Sequence, residues 1–123
     1  MTCVQILNIM LNMKNAIVFG GSGFLGSHIC DHLTESGFKV TIFDKNKSRF
    51  IKKNQKMIIG DISDLEKVSR AIKKQKYVYH FAGISDIDES NSNPMRAIKF
   101  NILGTANILE SIKKNKKVNR IIF

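Results

Sequence analysis

At 123 residues the chain has room for one domain with a real core and hardly for two. Its 43% apolar content fits a globular protein, and two cysteines, Cys3 and Cys30, make neither a disulfide framework nor a metal-ligand pattern and fit a reducing cytoplasm. The net charge of +10 would suit nucleic acid, a membrane surface or an anionic small ligand. The lysines cluster at 45–56, 73–76 and 113–117, in expected loops and helix ends, with no interleaved aromatics for base stacking, which argues against nucleic acid.

Residues 1–13 (MTCVQILNIMLNM) are apolar but short and interrupted by Gln5, Asn8 and Asn12. The stretch is too short and polar to span a bilayer and lacks the basic start and cleavage site of a signal peptide. It is expected to be a disordered or marginally helical extension, with Met13 an alternative start and the folded domain running over 14–123.

Asn15–Phe19 predicts the first strand. It stops at Gly20-Gly21, and glycines at 20, 23 and 26 give G-x-x-G-x-x-G across the joint into a helix over Phe24–Ser36. Leu25, Ile29, His32 and Leu33 are expected on one face of that helix, and Gly37 ends it. Such glycines let the backbone adopt turns a Cβ forbids and let it approach a pyrophosphate, whose charge suits the positive end of the following helix. A βα turn that binds nothing could use the same residues. The strand before, the helix after and an acid further on select the phosphate-binding reading.

Lys39–Phe43 predicts a second strand ending at Asp44, which stands 18 residues after Gly26, where a dinucleotide fold places an acid for the adenosine ribose hydroxyls. A carboxylate there repels a 2′-phosphate and so favours NAD over NADP; Lys45 and Lys47 soften that preference. A hydrophilic loop, Lys45–Gln55, leads to a third strand, Lys56–Ile59, closed by Gly60-Asp61. Ser63 and Glu66 form a candidate capping box for a helix that turns Leu65, Val68 and Ile72 inward. Tyr77–Phe81 predicts a fourth strand, followed by a loop over Ala82–Asn93. Pro94 opens a long helix to about Lys114, and Val118–Phe123 predicts a fifth strand. The alternation calls for an α/β fold, a Rossmann-type doubly wound parallel sheet in order 3-2-1-4-5, incomplete at its C-terminal end. His80, on an alternating strand, is expected to be a packed core histidine.

GGSGFLGSHI, Asp44, Gly60-Asp61-Ile62, His80-Phe81-Ala82-Gly83 and the segment Asn101–Glu110 occur in that order. Together they resemble the NAD-dependent epimerase/dehydratase family of extended short-chain dehydrogenases, and most of all its UDP-glucose 4-epimerases. The resemblance implies NAD as cofactor and a nucleotide sugar as substrate of the whole protein. It implies cofactor contacts from Gly20, Gly23, Phe24, Leu25, Gly26, Asp44 and Lys45. Asp61 would accept a hydrogen bond from the adenine amino group, with the Ile62 N–H on the ring edge. Phe81, Ala82 and Gly83 would lie against the cofactor, and Asn101 near it. The family's base is a tyrosine tuned by a lysine four residues on, Y-x-x-x-K. Here Tyr77 is followed at that spacing by Phe81 and Tyr79 by Gly83, so no catalytic residue is assigned. The chain alone is expected to bind NAD and catalyse nothing. The alternative is a non-catalytic dinucleotide-binding module completed by a partner chain, or by self-association. Neither a membrane nor a nucleic acid is an expected partner.

Overall fold

The computed structural model describes residues 1–12 and 14–123; Met13, the alternative start, lies outside the described residues. The first helix, α1 (Cys3–Asn12), precedes the domain, and its side chains through Asn8 are exposed. No helix among the described residues is long and apolar enough to cross a membrane.

The five strands are β1 (Asn15–Phe19), β2 (Lys39–Asp44), β3 (Gln55–Ile59), β4 (Tyr77–His80) and β5 (Arg120–Ile122). They pair in parallel in the order β3-β2-β1-β4-β5, as the alternation of elements predicts. β1 lies in the middle, Ile17 opposite Thr41 on one side and Val78 on the other. A central strand with both faces covered is apolar throughout rather than alternating, and Ala16, Ile17, Val18 and Phe19 are all fully buried.

The pleat sends alternate residues to opposite faces. Ile17, Phe19, Phe43 and Val78 pack on one face against Val68, Ala71 and Ile72 of α3 (Leu65–Ile72) and Ile108 of α6 (Thr105–Lys114). Ala16, Val18, Val40 and Ile42 pack on the other against Cys30 and Leu33 of α2 (Phe24–Glu35). Tyr77, Tyr79 and Phe81 extend that second cluster and are only half-buried.

Several local expectations are corrected. The buried stripe of α2 is Gly26, Cys30 and Leu33, with Leu25 and His32 exposed. The helix is rotated because Gly26, not Leu25, must face the end of β1. The cap of α3 is Asp64, whose side chain accepts the Lys67 N–H at 3.0 Å. Ser63 instead bonds Asp61, Glu66 pairs with Arg70, and Leu65 is 40% exposed. The Ala82–Asn93 loop contains a short helix, α4 (Ile87–Ser92), which Asp86 caps through the Glu89 N–H. The long helix from Pro94 is α5 (Pro94–Ile98), a π-helical segment (Lys99–Gly104) and α6. Periodicity could not show this, because one wider turn changes hydrogen-bond partners and hardly changes composition.

Ile108 is fully buried between α3 and the sheet. Ile108→Ala is expected to lower stability by about 2–5 kcal/mol, read as a lower urea midpoint with an unchanged slope.

Candidate functional site

The site begins where β1 runs out. Gly20 has φ +80°, open to glycine at little cost. Its N–H donates to the Phe43 carbonyl at 2.9 Å, so it still reads as part of the sheet. A Cβ on Gly20 would lie 2.7 Å from the Phe81 carbonyl carbon and the Ala82 nitrogen, so the turn rests directly on the chain leaving β4. Gly23 then donates back to the Gly20 carbonyl at 3.1 Å, and a Cβ on Gly26 would collide with that same carbonyl. The turn is thus backbone against backbone on both sides. No side chain caps α2 at Gly23, which leaves the first N–H groups of the helix, at Phe24 and Leu25, to solvent or to an anion.

Asp44 ties this turn to the next strand. One carboxylate oxygen accepts the Ser22 N–H at 3.1 Å and the other the Asn46 N–H at 2.9 Å. The Ser22 hydroxyl donates to the Asn46 carbonyl at 2.7 Å. Each carboxylate oxygen retains a second lone pair for a ligand hydroxyl. The hydrophilic loop after Asp44 is pinned along its length. Ser48 is buried and accepts the Phe50 N–H, while Lys52 pairs with Asp31 at 3.3 Å and Glu35 at 3.5 Å.

Asp61 accepts both the N–H and the hydroxyl of Ser63, at 2.8 and 2.7 Å, through one oxygen. Ile62 is buried, its carbonyl taking the Asn107 side-chain N–H at 2.9 Å. At the far end, Asn101 accepts the Ile84 N–H at 2.7 Å and donates to the Ile84 carbonyl at 2.8 Å. Its amide is therefore tied to the loop after Gly83.

These parts enclose a cleft of about 580 Å³ at the carboxyl ends of the strands, within the usual range for a ligand site. It lies where the chain order reverses between β1 and β4, the ligand position in open parallel sheets. Of the residues expected from sequence, Gly20, Gly23, Asp44 and Lys45 line one part of the cleft. Asp61, Ile62, Phe81, Ala82 and Gly83 line the rest. Phe24, Leu25, Gly26 and Asn101 do not line it. The first two are exposed at the start of α2, and Gly26 and Asn101 support its walls from behind. Lys47, read from sequence only as a charge beside Asp44, lines the cleft too; sequence reasoning missed Arg49 and Phe50, on what reads as a plain hydrophilic loop, and Phe43 and Phe100, which read as core or helix residues. The signal available for Phe50 was a large apolar residue within a polar run; the ring is 67% exposed at the cleft. Phe100 carries Lys45 Nζ 5.3 Å from its ring centroid and the Arg96 guanidinium at 5.6 Å.

One buried group, Cys30, can be set aside as a reactive centre. Burial, aided by Asp31, pushes the Cys30 thiol up to about 12, so it is a packing residue rather than a nucleophile. Among the described residues no cluster of histidine, cysteine and acid side chains could hold a metal ion.

A doubly wound parallel sheet with a glycine turn, an uncapped helix start and an acid around one cleft is a Rossmann-type domain. The NAD dependent epimerase/dehydratase family matches residues 16–123, and the chain belongs to that family. It is 30% identical over 117 residues to a bifunctional UDP-glucose 4-epimerase and UDP-xylose 4-epimerase of Arabidopsis thaliana, covering 82% of this chain and 33% of the relative. It is 32% identical to a UDP-N-acetyl-alpha-D-glucosaminuronate decarboxylase of Bacillus cytotoxicus, covering 89% of this chain and 36% of the relative. The crystal structure of Thermus thermophilus UDP-glucose 4-epimerase in complex with NAD superposes with a TM-score of 0.83 at 30% identity, over 89% of this chain and 37% of that one. The chain thus spans about a third of the length of the curated relatives it matches.

His80 is buried, and burial lowers its pKa below the ordinary 6.5. The unfolded chain therefore takes up this proton more readily than the folded one. The resulting stability is fully present above about pH 6.5 and is lost as pH falls toward the folded value. Urea midpoints at pH 7.5 and 5.5 are expected to differ in the wild type and to converge in His80→Gln.

Proposed function

We propose that this chain binds NAD in the cleft and is the cofactor-holding part of a nucleotide-sugar epimerase or dehydratase. The observation that carries the reading is the bare backbone joint at Gly20–Gly26 strapped by Asp44, with an uncapped helix start beside it. Glycines at 20 and 26 let the joint close backbone on backbone, and the uncapped helix start beside it offers N–H groups and close main-chain approach to a pyrophosphate. The adenosine ribose hydroxyls would use the free lone pairs of Asp44. Adenine would lie between Asp61 and Ile62 on one side and the 45–50 loop on the other, with the nicotinamide half over Ala82 and Gly83. The Ser63 bonds occupy one oxygen of Asp61 and leave the other for the adenine amino group.

When bound, NAD supplies hydride transfer to and from a sugar carbon. The residues here hold and orient it. A proton must move with the hydride, and neither tyrosine suits that task. Tyr77 and Tyr79 are half-buried on β4, with no lysine four residues on. The Y-x-x-x-K base and the sugar-binding groups would come from residues outside these 123, and the sugar itself would be chosen there. Two free cysteines fit a reducing, cytoplasmic setting.

The reading in which another segment completes the sheet draws on Tyr77, Tyr79 and Phe81, half-buried on the face that α2 covers chiefly over β1 and β2. Concentration-dependent sedimentation would detect self-association through that face.

NADH titration followed by nicotinamide fluorescence tests the main reading. The wild type is expected to bind NADH and to bind NADPH more weakly. Asp44→Ala should weaken NADH by roughly 10- to 100-fold, the worth of hydrogen bonds to a charged group, and narrow the preference over NADPH. Equal NADH binding by wild type and Asp44→Ala would overturn the assignment. The purified chain is expected to show no epimerisation of UDP-glucose.

A further inference from the structure

The π-helical segment puts Phe100 into the cleft lining, His80 lies buried behind it, and the two are linked. Thr105 comes directly after the segment, and its backbone N–H donates to the Ile102 carbonyl rather than to Asn101. The Asn101 carbonyl is taken up instead by the Thr105 hydroxyl at 2.7 Å. A threonine hydroxyl has a single hydrogen, so at its 2.8 Å contact with His80 Nε2 it can only accept. His80 is therefore the Nε2–H tautomer. Its Nδ1 is a buried acceptor with no partner among the described residues. The ring is wedged edge-on against Phe19 and Phe123, at 6.4 and 5.8 Å between centroids.

A relay thus runs from the core of β4 to the rim of the cleft: His80 N–H to Thr105 hydroxyl, Thr105 hydroxyl to Asn101 carbonyl, Asn101 amide to both backbone groups of Ile84. The last step fixes the loop that immediately succeeds the cleft residues Ala82 and Gly83. The fit there is close, since a Cβ on Gly83 would come within 2.8 Å of Asn101 Oδ1. The wide turn is the source of the relay's direction. One extra residue in a turn rotates the rest of the helix by roughly 100° relative to an unbroken α-helix. Asn101, before Thr105, can then meet Ile84 while Asn107, beyond it, reaches the Ile62 carbonyl at the other end of the same cleft. A threonine hydroxyl bonded back to a carbonyl four residues earlier is a known way to bend a helix.

We propose that His80 and Thr105 are positioning residues: they lock the π-helical turn at Lys99–Gly104 and, through Asn101, hold the Ile84 backbone where the nicotinamide half of the cofactor would rest. The proposal depends on the NAD reading for its ligand but not for its geometry. The test therefore has one arm without ligand and one with NADH. Amide hydrogen exchange at Ile84 is measured by NMR in the 123-residue chain, for wild type, Thr105→Val, Thr105→Ser and His80→Phe, alongside thermal midpoints.

Thr105→Val keeps the shape and loses the hydroxyl. It is expected to speed Ile84 exchange about tenfold and to raise the NADH Kd by a similar factor, the worth of one hydrogen bond. Thr105→Ser should restore both, which a role in packing the methyl group would not do. His80→Phe keeps the ring and removes the donor, and should shift Ile84 in the same direction as Thr105→Val. Unchanged Ile84 exchange in both Thr105→Val and His80→Phe, or a serine variant no better than valine, would overturn the relay. A wild type that fails to bind NADH would remove the cofactor reading, and the ligand-free exchange would still decide the relay.

Discussion

Three pieces of backbone meet at one point with no side chain between them: the carbonyl of Gly20, the first turn of α2 at Gly26, and the chain leaving β4 at Phe81-Ala82. Most of the architecture depends on that contact. It draws the start of α2 onto the end of β1, which sets the helix rotation and makes Cys30 and Leu33 the buried face. It also makes β4 the neighbour of β1 at the level where the order of strands reverses, and so opens a cleft there. A single methyl group at Gly20 or Gly26 would have to push one of these three elements away.

The helical stretch from Lys99 to Asn107 backs the cleft and puts Phe100 into its lining. It is bound to the sheet by polar contacts as well as by Ile108. Asn107 holds the Ile62 carbonyl, Asn101 holds Ile84, and Phe100 faces the cleft between them. The Asn107 amide is buried and must be paired or cost stability, whereas Asn101 is exposed and bonds at the rim. Here the pairing attaches two separate loops to one helix, so the two ends of the cleft keep a constant separation.

The net charge of +10 acquires a local meaning from this arrangement. Lys73 caps the end of α3, and Lys113 and Lys114 lie in the last turn of α6, where cations meet the negative end of a helix. Lys45, Lys47 and Arg49 instead line the cleft, and Arg96 and Lys99 gather with Lys45 around the Phe100 ring. Positive potential there favours an anionic ligand, and the Asp44 carboxylate sits among these cations at the same cleft.

The sequence by itself determined whatever depends on neighbours along the chain. The apolar runs marked all five strands, the glycines with Asp44 marked the joint, and alternation of elements dictated the sheet order through the handedness of the crossovers. His80 was legible as a core histidine, since its strand alternates. Tertiary structure alone decided the rest. Leu25 and Leu65 look inward on a helical wheel and are exposed, because a wheel lacks the one contact that sets its rotation. Asp64 displaces Ser63 as cap because Asp61 holds the serine. Phe50 and Phe100 reach the cleft from segments that read as loop and helix. The π-helical turn was invisible in periodicity, because it rests on a carbonyl taken by the Thr105 hydroxyl, which also meets His80 of β4. Such choices turn on contacts between residues far apart in the chain, which local pattern does not encode.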